Sequence, residues 1–434
     1  MSAPIIGALG VLALFALLFL RIPVWAALTL VGFFGNAAVG GWPSAFALAG
    51  TTPFDSASAY TLSVIPLFVL MGEVASNTRL SADLFVAARV MLSGLRGGLS
   101  VATLAASACF GAVCGSSVAT AATMTRIALP EMRKAGYDDG LATGSLAAGG
   151  SLGILIPPSI ILVIYAAIAE QSVPKLFAAA LFPGLLLTAL YIGVALTIAH
   201  LRPHYAPSAE SATLRERLAA LRKPWQFIAL FVATIGGIYA GIFSPTEAAA
   251  VGAFGAVMLG VLGRRITWEK LFESIRSSVV ISCVLFAIIF GANLFSYFMV
   301  QTQFPLLLAD TAKMFNLPGL AVMILIIVSY IVMGCFLEGI GMVLITVPVF
   351  LPIITKFGYD PIWFAVIVVI VVELGLIHPP VGMNLFVIQA QAPDIKITSI
   401  YRGIVPFLIA PIVLILIMFM FPQLALWLPQ VLYR

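Results

Sequence analysis

The chain has 434 residues, of which 62% are hydrophobic and 9% charged, and its mean hydropathy is +1.14. Soluble domains carry about a quarter charged residues, so this composition excludes a water-soluble globular protein. The net charge of +5 does not point to nucleic acid, because the loops of membrane proteins collect Lys and Arg on one side.

Apolar stretches long enough to cross a hydrocarbon core of about 30 Å recur from end to end. In the first half, spans are predicted near 4–20, 24–40 and 60–77, followed by a polar amphipathic stretch near 79–97. A Gly/Ser-interrupted segment at about 100–130 comes next, then an apolar run at about 140–170 broken by Pro157-Pro158, then a span at about 177–199. The polar stretch Arg202 to Lys223 follows. The second half reads as spans near 225–242, 246–262, 278–298, 319–354, 361–391 and 403–428, and its polar stretch at 264–276 is read, like that at 79–97, as a cytoplasmic arm. The first apolar stretch ends in Arg21 without a small-residue cleavage site, which predicts a retained helix rather than a signal peptide.

The chain matches itself at a shift of 222 residues. Leu129-Pro130 pairs with Leu351-Pro352, Gly136-Tyr137-Asp138 with Gly358-Tyr359-Asp360, and Pro157-Pro158 with Pro379-Pro380. Leu152-Gly153 pairs with Leu374-Gly375, and Pro23 with Pro245, at the same offset. The reading is an all-α polytopic membrane protein of two repeats, 1–200 and 225–434, joined by a cytoplasmic segment at 201–224. If each interrupted segment is a re-entrant hairpin, every half crosses an odd number of times and the second repeat is inverted. That arrangement places eighteen of the 22 basic residues on one face, leaving Lys175, Lys313, Lys356 and Arg434 on the other. The crowded face is then cytoplasmic and both termini periplasmic.

Backbone groups in lipid must be paired, so broken helices survive only against protein or a water-filled cavity. Four interruptions stand out: Gly111 to Thr123, Gly153 to Ser159, Gly334 to Met342 and Gly375 to Asn384. Small residues alone also serve close helix packing. A double proline at matched positions forbids a regular helix and predicts discontinuous helices near the midplane. Their freed carbonyls and Ser/Thr hydroxyls suit Na⁺, and half-helix N-termini favour an anion. Among the acids, Glu338 lies at the second hairpin tip and is a candidate functional acid. Glu373 reads as a buried hydrogen-bonded brace or a ligand, Glu247 as a helix cap, and Glu73 as a residue that caps or reaches the interface. Trp25, Trp42, Trp225, Trp363 and Trp427 lie near predicted span ends, as interface anchors do. Cys109, Cys114, Cys283 and Cys335 lack paired spacing and read as small core residues. His200, His204 and His378 form no metal pattern, and no nucleophile–base pair or organic-cofactor motif supports an enzyme.

At these residues the chain resembles the large membrane subunit of tripartite ATP-independent periplasmic (TRAP) transporters. The likeness is carried by Phe110 to Thr123, Leu152 to Ser159, Ser244 to Gly252, Glu338 to Pro348, and His378-Pro379-Pro380-Val381-Gly382-Met383-Asn384. It implies an elevator-type carrier of the wider ion-transporter superfamily, in the bacterial inner membrane and coupled to Na⁺. It also implies a small four-helix membrane subunit and a periplasmic solute-binding protein as partners, with organic acids such as dicarboxylates or sialic acid as substrates. Carried over by position, one Na⁺ site involves Ser116, Ser117, Gly153 and Pro157, and a second Gly339, Gly341, Gly375 and Pro379. Thr120, Ser159 and Asn384 are then the candidates for polar contact with substrate. The alternatives are a stand-alone Na⁺-coupled carboxylate carrier and, more remotely, a membrane enzyme subunit.

Overall fold

The computed structural model describes residues 2–78, 80–207, 211–334 and 336–433. Cys335 and Arg434, named above, and Arg79, at the start of the polar stretch 79–97, lie outside the described residues. Among the described residues every regular element is helical.

The first half runs through α1 (Ala3–Phe19), α2 (Val24–Ser58), α3 (Val64–Asn77), α4 (Leu80–Met91), α5 (Gly98–Cys114) and α6 (Ser117–Lys134). It continues with α7 (Asp139–Ser151), α8 (Ile160–Ile168) and α9 (Val173–Leu201). A short surface helix, α10 (Leu214–Leu221), leads into α11 (Trp225–Phe231), a π-helical turn and α12 (Gly237–Tyr239). The second half then runs α13 (Pro245–Leu262), α14 (Trp268–Thr302), α15 (Phe304–Met314), α16 (Gly319–Gly334) and α17 (Gly339–Lys356). It closes with α18 (Pro361–Ile377), α19 (Met383–Gln391), α20 (Ile397–Ile404), α21 (Ile409–Met420) and α22 (Gln423–Leu432). Among the described residues, seven helices, or eight with one bent pair, are long and apolar enough to cross a membrane.

Local chemistry explains where these helices start and stop, and the 222-residue recurrence has a structural cause. Gly136 and Gly358 adopt φ of +75° and +84° just past α6 and α17, a left-handed turn that side chains resist. Two residues later, Asp138 accepts from the Leu141 amide at 3.1 Å to cap α7, and Asp360 accepts from the Ile362 amide at 2.7 Å to cap α18. The repeated Gly-Tyr-Asp is therefore a stop signal followed by a start signal. Ser244 and Glu247 close a capping box on α13, as read from the sequence.

Three sequence expectations shift. The stretch 264–276 is not a separate amphipathic arm, because Trp268 onward belongs to the unbroken 35-residue α14. The counterpart of α4 is α15, which the polar residues Asp310 and Lys313 set apart from the apolar spans. Each of these short helices is tied to the second arm of its own hairpin, Arg89 to Glu131 and Lys356 to Asp310. Trp363 is no interface anchor. It is 3% exposed, stacks on Tyr359 and donates its indole N–H to the Met418 carbonyl at 3.1 Å.

The halves interleave rather than sit side by side. α14 lies along α2, where Gly32 lets the backbones meet: a Cβ there would stand 2.6 Å from the Phe295 nitrogen. Asn36 reinforces the contact by donating to the Leu294 carbonyl at 2.9 Å, and Asn293 donates to Ser56. α3 packs on α13 and α14, α7 on α20, and α9 on α22. α18 is buried from Trp363 to Ile377, as a helix apolar on every face apart from Glu373 requires. Asp394, in the loop after α19, is bound at 2.7 Å by the guanidinium of Arg133 from α6, which holds its carboxyl below the usual range and also binds Asp139.

Candidate functional site

Both hairpins turn at their tips. α5 ends at Gly115, whose φ of +63° reverses the chain, and the Ser116 hydroxyl accepts from the Ala119 amide at 3.4 Å to start α6. The facing break lies between α7 and α8, where one short helical turn, Leu152–Ile154, precedes Pro157-Pro158 and Ser159 caps α8. Tip and break are in close contact. A Cβ on Gly111 would lie 2.5 Å from the Cα of Gly153, and one on Gly153 would lie 2.9 Å from the Ser116 carbonyl oxygen. Thr120 donates to that same carbonyl at 2.7 Å. Ser116, Thr120 and Gly153 are thus brought together, with Gly115 against the Pro158 carbonyl and Pro157 buried behind.

The second hairpin repeats the plan with different chemistry. Gly334 meets Gly375 as Gly111 meets Gly153, a Cβ on Gly334 falling 2.7 Å from the Cα of Gly375. Gly339 faces Val372, one turn before Gly375, whereas Gly341 faces Val24 of α2 and not the break. The break around Pro379-Pro380 is more open than its buried counterpart, and Tyr401 donates to the Pro380 carbonyl. Both Pro-Pro bonds are cis.

Ser117 does not turn toward Gly153. Its hydroxyl lies 2.7 Å from the amide nitrogen and 3.0 Å from the amide oxygen of Asn384, at the start of α19. Both residues are buried, so a hairpin of the first half is bonded to a broken helix of the second. Ser159 donates to the Ile154 carbonyl and accepts from the Leu162 amide at 3.3 Å.

The two tips border one cavity of about 460 Å³. Its polar wall comprises Glu73, Ser116, Ser117 and Glu338; Val69, Ile160, Ile281 and Leu285 supply much of the apolar wall. Thr120, Ser159 and Asn384 stand behind that wall with their polar groups already engaged. Glu73 is the residue that sequence reasoning placed elsewhere: it faces this cavity from α3 beside Gly72. Its position inside the span 60–77 was the available signal. Glu373 is fully buried, with the backbone N–H of Leu155 at the first break directed at its carboxylate and no side chain among the described residues bonded to it. Two larger hollows lie elsewhere, one at Asp138, Arg202 and Arg402 and one at Phe15, Phe19 and Phe336; neither touches both hairpins.

Interrupted helices buried among lipid-compatible spans, with two tips on a shared cavity, define a multi-pass membrane transporter. Two solved structures share the fold. The YdaH transporter of Alcanivorax borkumensis aligns with a TM-score of 0.63 at 15% identity, over 89% of this chain and 90% of that one. MtrF of Neisseria gonorrhoeae aligns with a TM-score of 0.52 at 16% identity, over 87% and 84%. The sequence profile described as "Tripartite ATP-independent periplasmic transporter, DctM component" matches residues 11–424, and the chain belongs to that family. Among its relatives is the C4-dicarboxylate TRAP transporter large permease protein DctM of Pseudomonas aeruginosa, 35% identical over 87% of this chain and 88% of the relative. The sialic acid large permease SiaM of Vibrio cholerae is 30% identical over 86% of each, and the ectoine large permease TeaC of Halomonas elongata 30% identical over 86% and 87%.

Proposed function

We propose that this chain is the transmembrane large subunit of a Na⁺-coupled importer of an organic acid. A periplasmic binding protein delivers the solute, and a separate four-helix membrane subunit completes the complex. The two halves are inverted repeats in the bacterial inner membrane with both termini periplasmic, and the hairpins with their broken helices move as a block against the remaining helices. The observation that carries this reading is the convergence of the Ser116 carbonyl, the Thr120 hydroxyl and the Gly153 backbone where two helices are interrupted. Hard oxygen donors without a carboxylate suit a monovalent cation. Ser116, Gly153 and Pro157 would hold one Na⁺, and Gly339, Gly375 and Pro379 a second; Ser117, bonded to Asn384, and Gly341, against Val24, stand apart from these two sets. Thr120, Ser159 and Asn384 brace the solute side. The relatives' names, covering C4-dicarboxylate, sialic acid and ectoine, support a small carboxylate as cargo.

The energetics suit co-transport. A tenfold Na⁺ gradient supplies about 1.4 kcal/mol per ion. Each net charge moved gains about 2.3 kcal/mol per 100 mV. Two Na⁺ with a monoanion therefore reach about 5 kcal/mol. The test is uptake into proteoliposomes that hold both membrane subunits, with the binding protein outside. Uptake should collapse when Na⁺ is replaced by choline; an undiminished rate would refute the coupling.

A further inference from the structure

The segment that joins the two halves carries a helix whose faces have unlike chemistry. In α10 the exposed leucines Leu214, Leu218 and Leu221 recur at spacings of four and three residues. The same rhythm continues through the exposed Trp225, Ile228 and Val232 of the helical run Trp225–Tyr239, which α10 meets at a bend of 44°. At about 100° per residue these six side chains form one stripe. The run Trp225–Tyr239 holds no charged residue, so the stripe leads from a lipid-compatible helix out to α10 without a break. The two flanks of the stripe on α10 differ. On one, Ala220 is buried and Arg217 donates to the Ser93 carbonyl at 3.1 Å, while the Ala212 amide donates to the Ser93 hydroxyl at 2.9 Å. That flank is docked on the turn between α4 and α5. On the other stand Arg215 and Arg222, both exposed and, among the described residues, without an ion pair. The one acid of the helix, Glu216, has its carboxylate bound by Thr213. Helix stability does not account for Arg215, because a cation in the first turn opposes the helix dipole.

We propose that α10 is an interfacial anchor for anionic phospholipid: its leucine stripe rests among the acyl chains and Arg215 and Arg222 hold headgroup phosphates beside it. Two observations select this occupant. A soluble partner has no need of a stripe continuous with a membrane-compatible helix, and a neutral lipid has no need of two unpaired arginines along its edge. The Arg stems reach along apolar surface while their heads stay at the polar boundary. Through Ser93 the anchor also fixes to the membrane surface the turn from which α5, the first arm of the first hairpin, departs. The inference is independent of the coupling ion and of the cargo.

The test uses the full chain, its four native cysteines replaced by alanine, in nanodiscs of phosphatidylcholine mixed with phosphatidylglycerol. A nitrobenzoxadiazole label on Leu218→Cys should be quenched by lipid spin-labelled high on its acyl chain. The same label on Ala219→Cys, turned away from the stripe, should stay unquenched. At equal mole fraction, spin-labelled phosphatidylglycerol should quench the Leu218→Cys label about fivefold more effectively than spin-labelled phosphatidylcholine, the scale of a basic residue at an anionic surface. Raised salt should weaken that preference. Arg215→Gln with Arg222→Gln should abolish it, while quenching by phosphatidylcholine and the melting temperature stay at their wild-type values. Should the cysteine-free chain fail to fold, mass spectrometry of the lipid retained by the native-cysteine chain, with and without the two glutamines, reads the same preference. Equal quenching by both lipids, or a preference that survives both substitutions, overturns the inference. So does a Leu218→Cys label that no lipid quenches, or one whose quenching is lost when a second membrane subunit or a second copy of the chain binds, because the stripe then belongs to a protein partner.

Discussion

Gly403 sits where α20 crosses α7, and its missing side chain is what allows the crossing. A Cβ there would fall 1.9 Å from the carbonyl oxygen of Gly140, and one on Gly144 would fall 2.3 Å from the Gly403 oxygen. Both neighbours are backbone, so neither yields as a flexible side chain would. Gly403→Ala is expected to destabilise the chain by about 1–3 kcal/mol, the usual cost of overpacking, read as a lowered melting temperature in detergent. Gly193→Ala, which meets nothing within 4 Å, should leave it unchanged. The sequence shows glycine at both places but not which one another helix presses upon. The same holds for the acids. Glu247 was legible as a cap because its Ser-Pro-Thr-Glu context is local. Glu73 was not, because it faces a cavity whose walls are assembled from distant helices.

Ser117 and Asn384 couple two elements that are 267 residues apart in sequence. Each is buried, and each is the side-chain partner of the other, so removing one strands a polar group. Measured by melting, Ser117→Ala and Asn384→Ala should each cost about 1–2 kcal/mol, and the double variant less than their sum by about 1 kcal/mol. Strict additivity would mean that the first hairpin and α19 are not held together through this pair. At this scale much was readable beforehand. Helix interruptions at both Pro-Pro pairs follow from residues that cannot donate the helical hydrogen bond, and the one at Gly115-Ser116 from a left-handed glycine stop followed by a serine N-cap. The displaced arm was not readable from polarity alone. Residues 264–276 are charged because α14 begins outside the apolar region and then enters it as one helix.

Considered as a whole, the molecule joins α3, α13 and α14 in one packed group, and α3 touches the first hairpin through Ser76 and Thr123, whose hydroxyls lie 2.9 Å apart. If the hairpins travel past this group during transport, a bond at that point must stop them. Ser76→Cys with Thr123→Cys, in a chain whose four native cysteines are replaced by alanine, should form a disulfide on mild oxidation and lose Na⁺-driven uptake, with recovery on reduction. Full uptake by the cross-linked form would rule out movement of the first hairpin against α3. The sequence by itself determined the solvent, the helical class, the two-fold recurrence and the places where helices break. Each of these depends on composition or on a residue's own backbone preferences within a few positions. Only the tertiary structure decided which breaks face each other, that Ser117 answers to Asn384 and not to Gly153, and that Glu73 and Glu338 border one cavity. Those facts depend on contacts across hundreds of residues, which near-uniform apolar helices can make in many registers until close packing at glycines selects one.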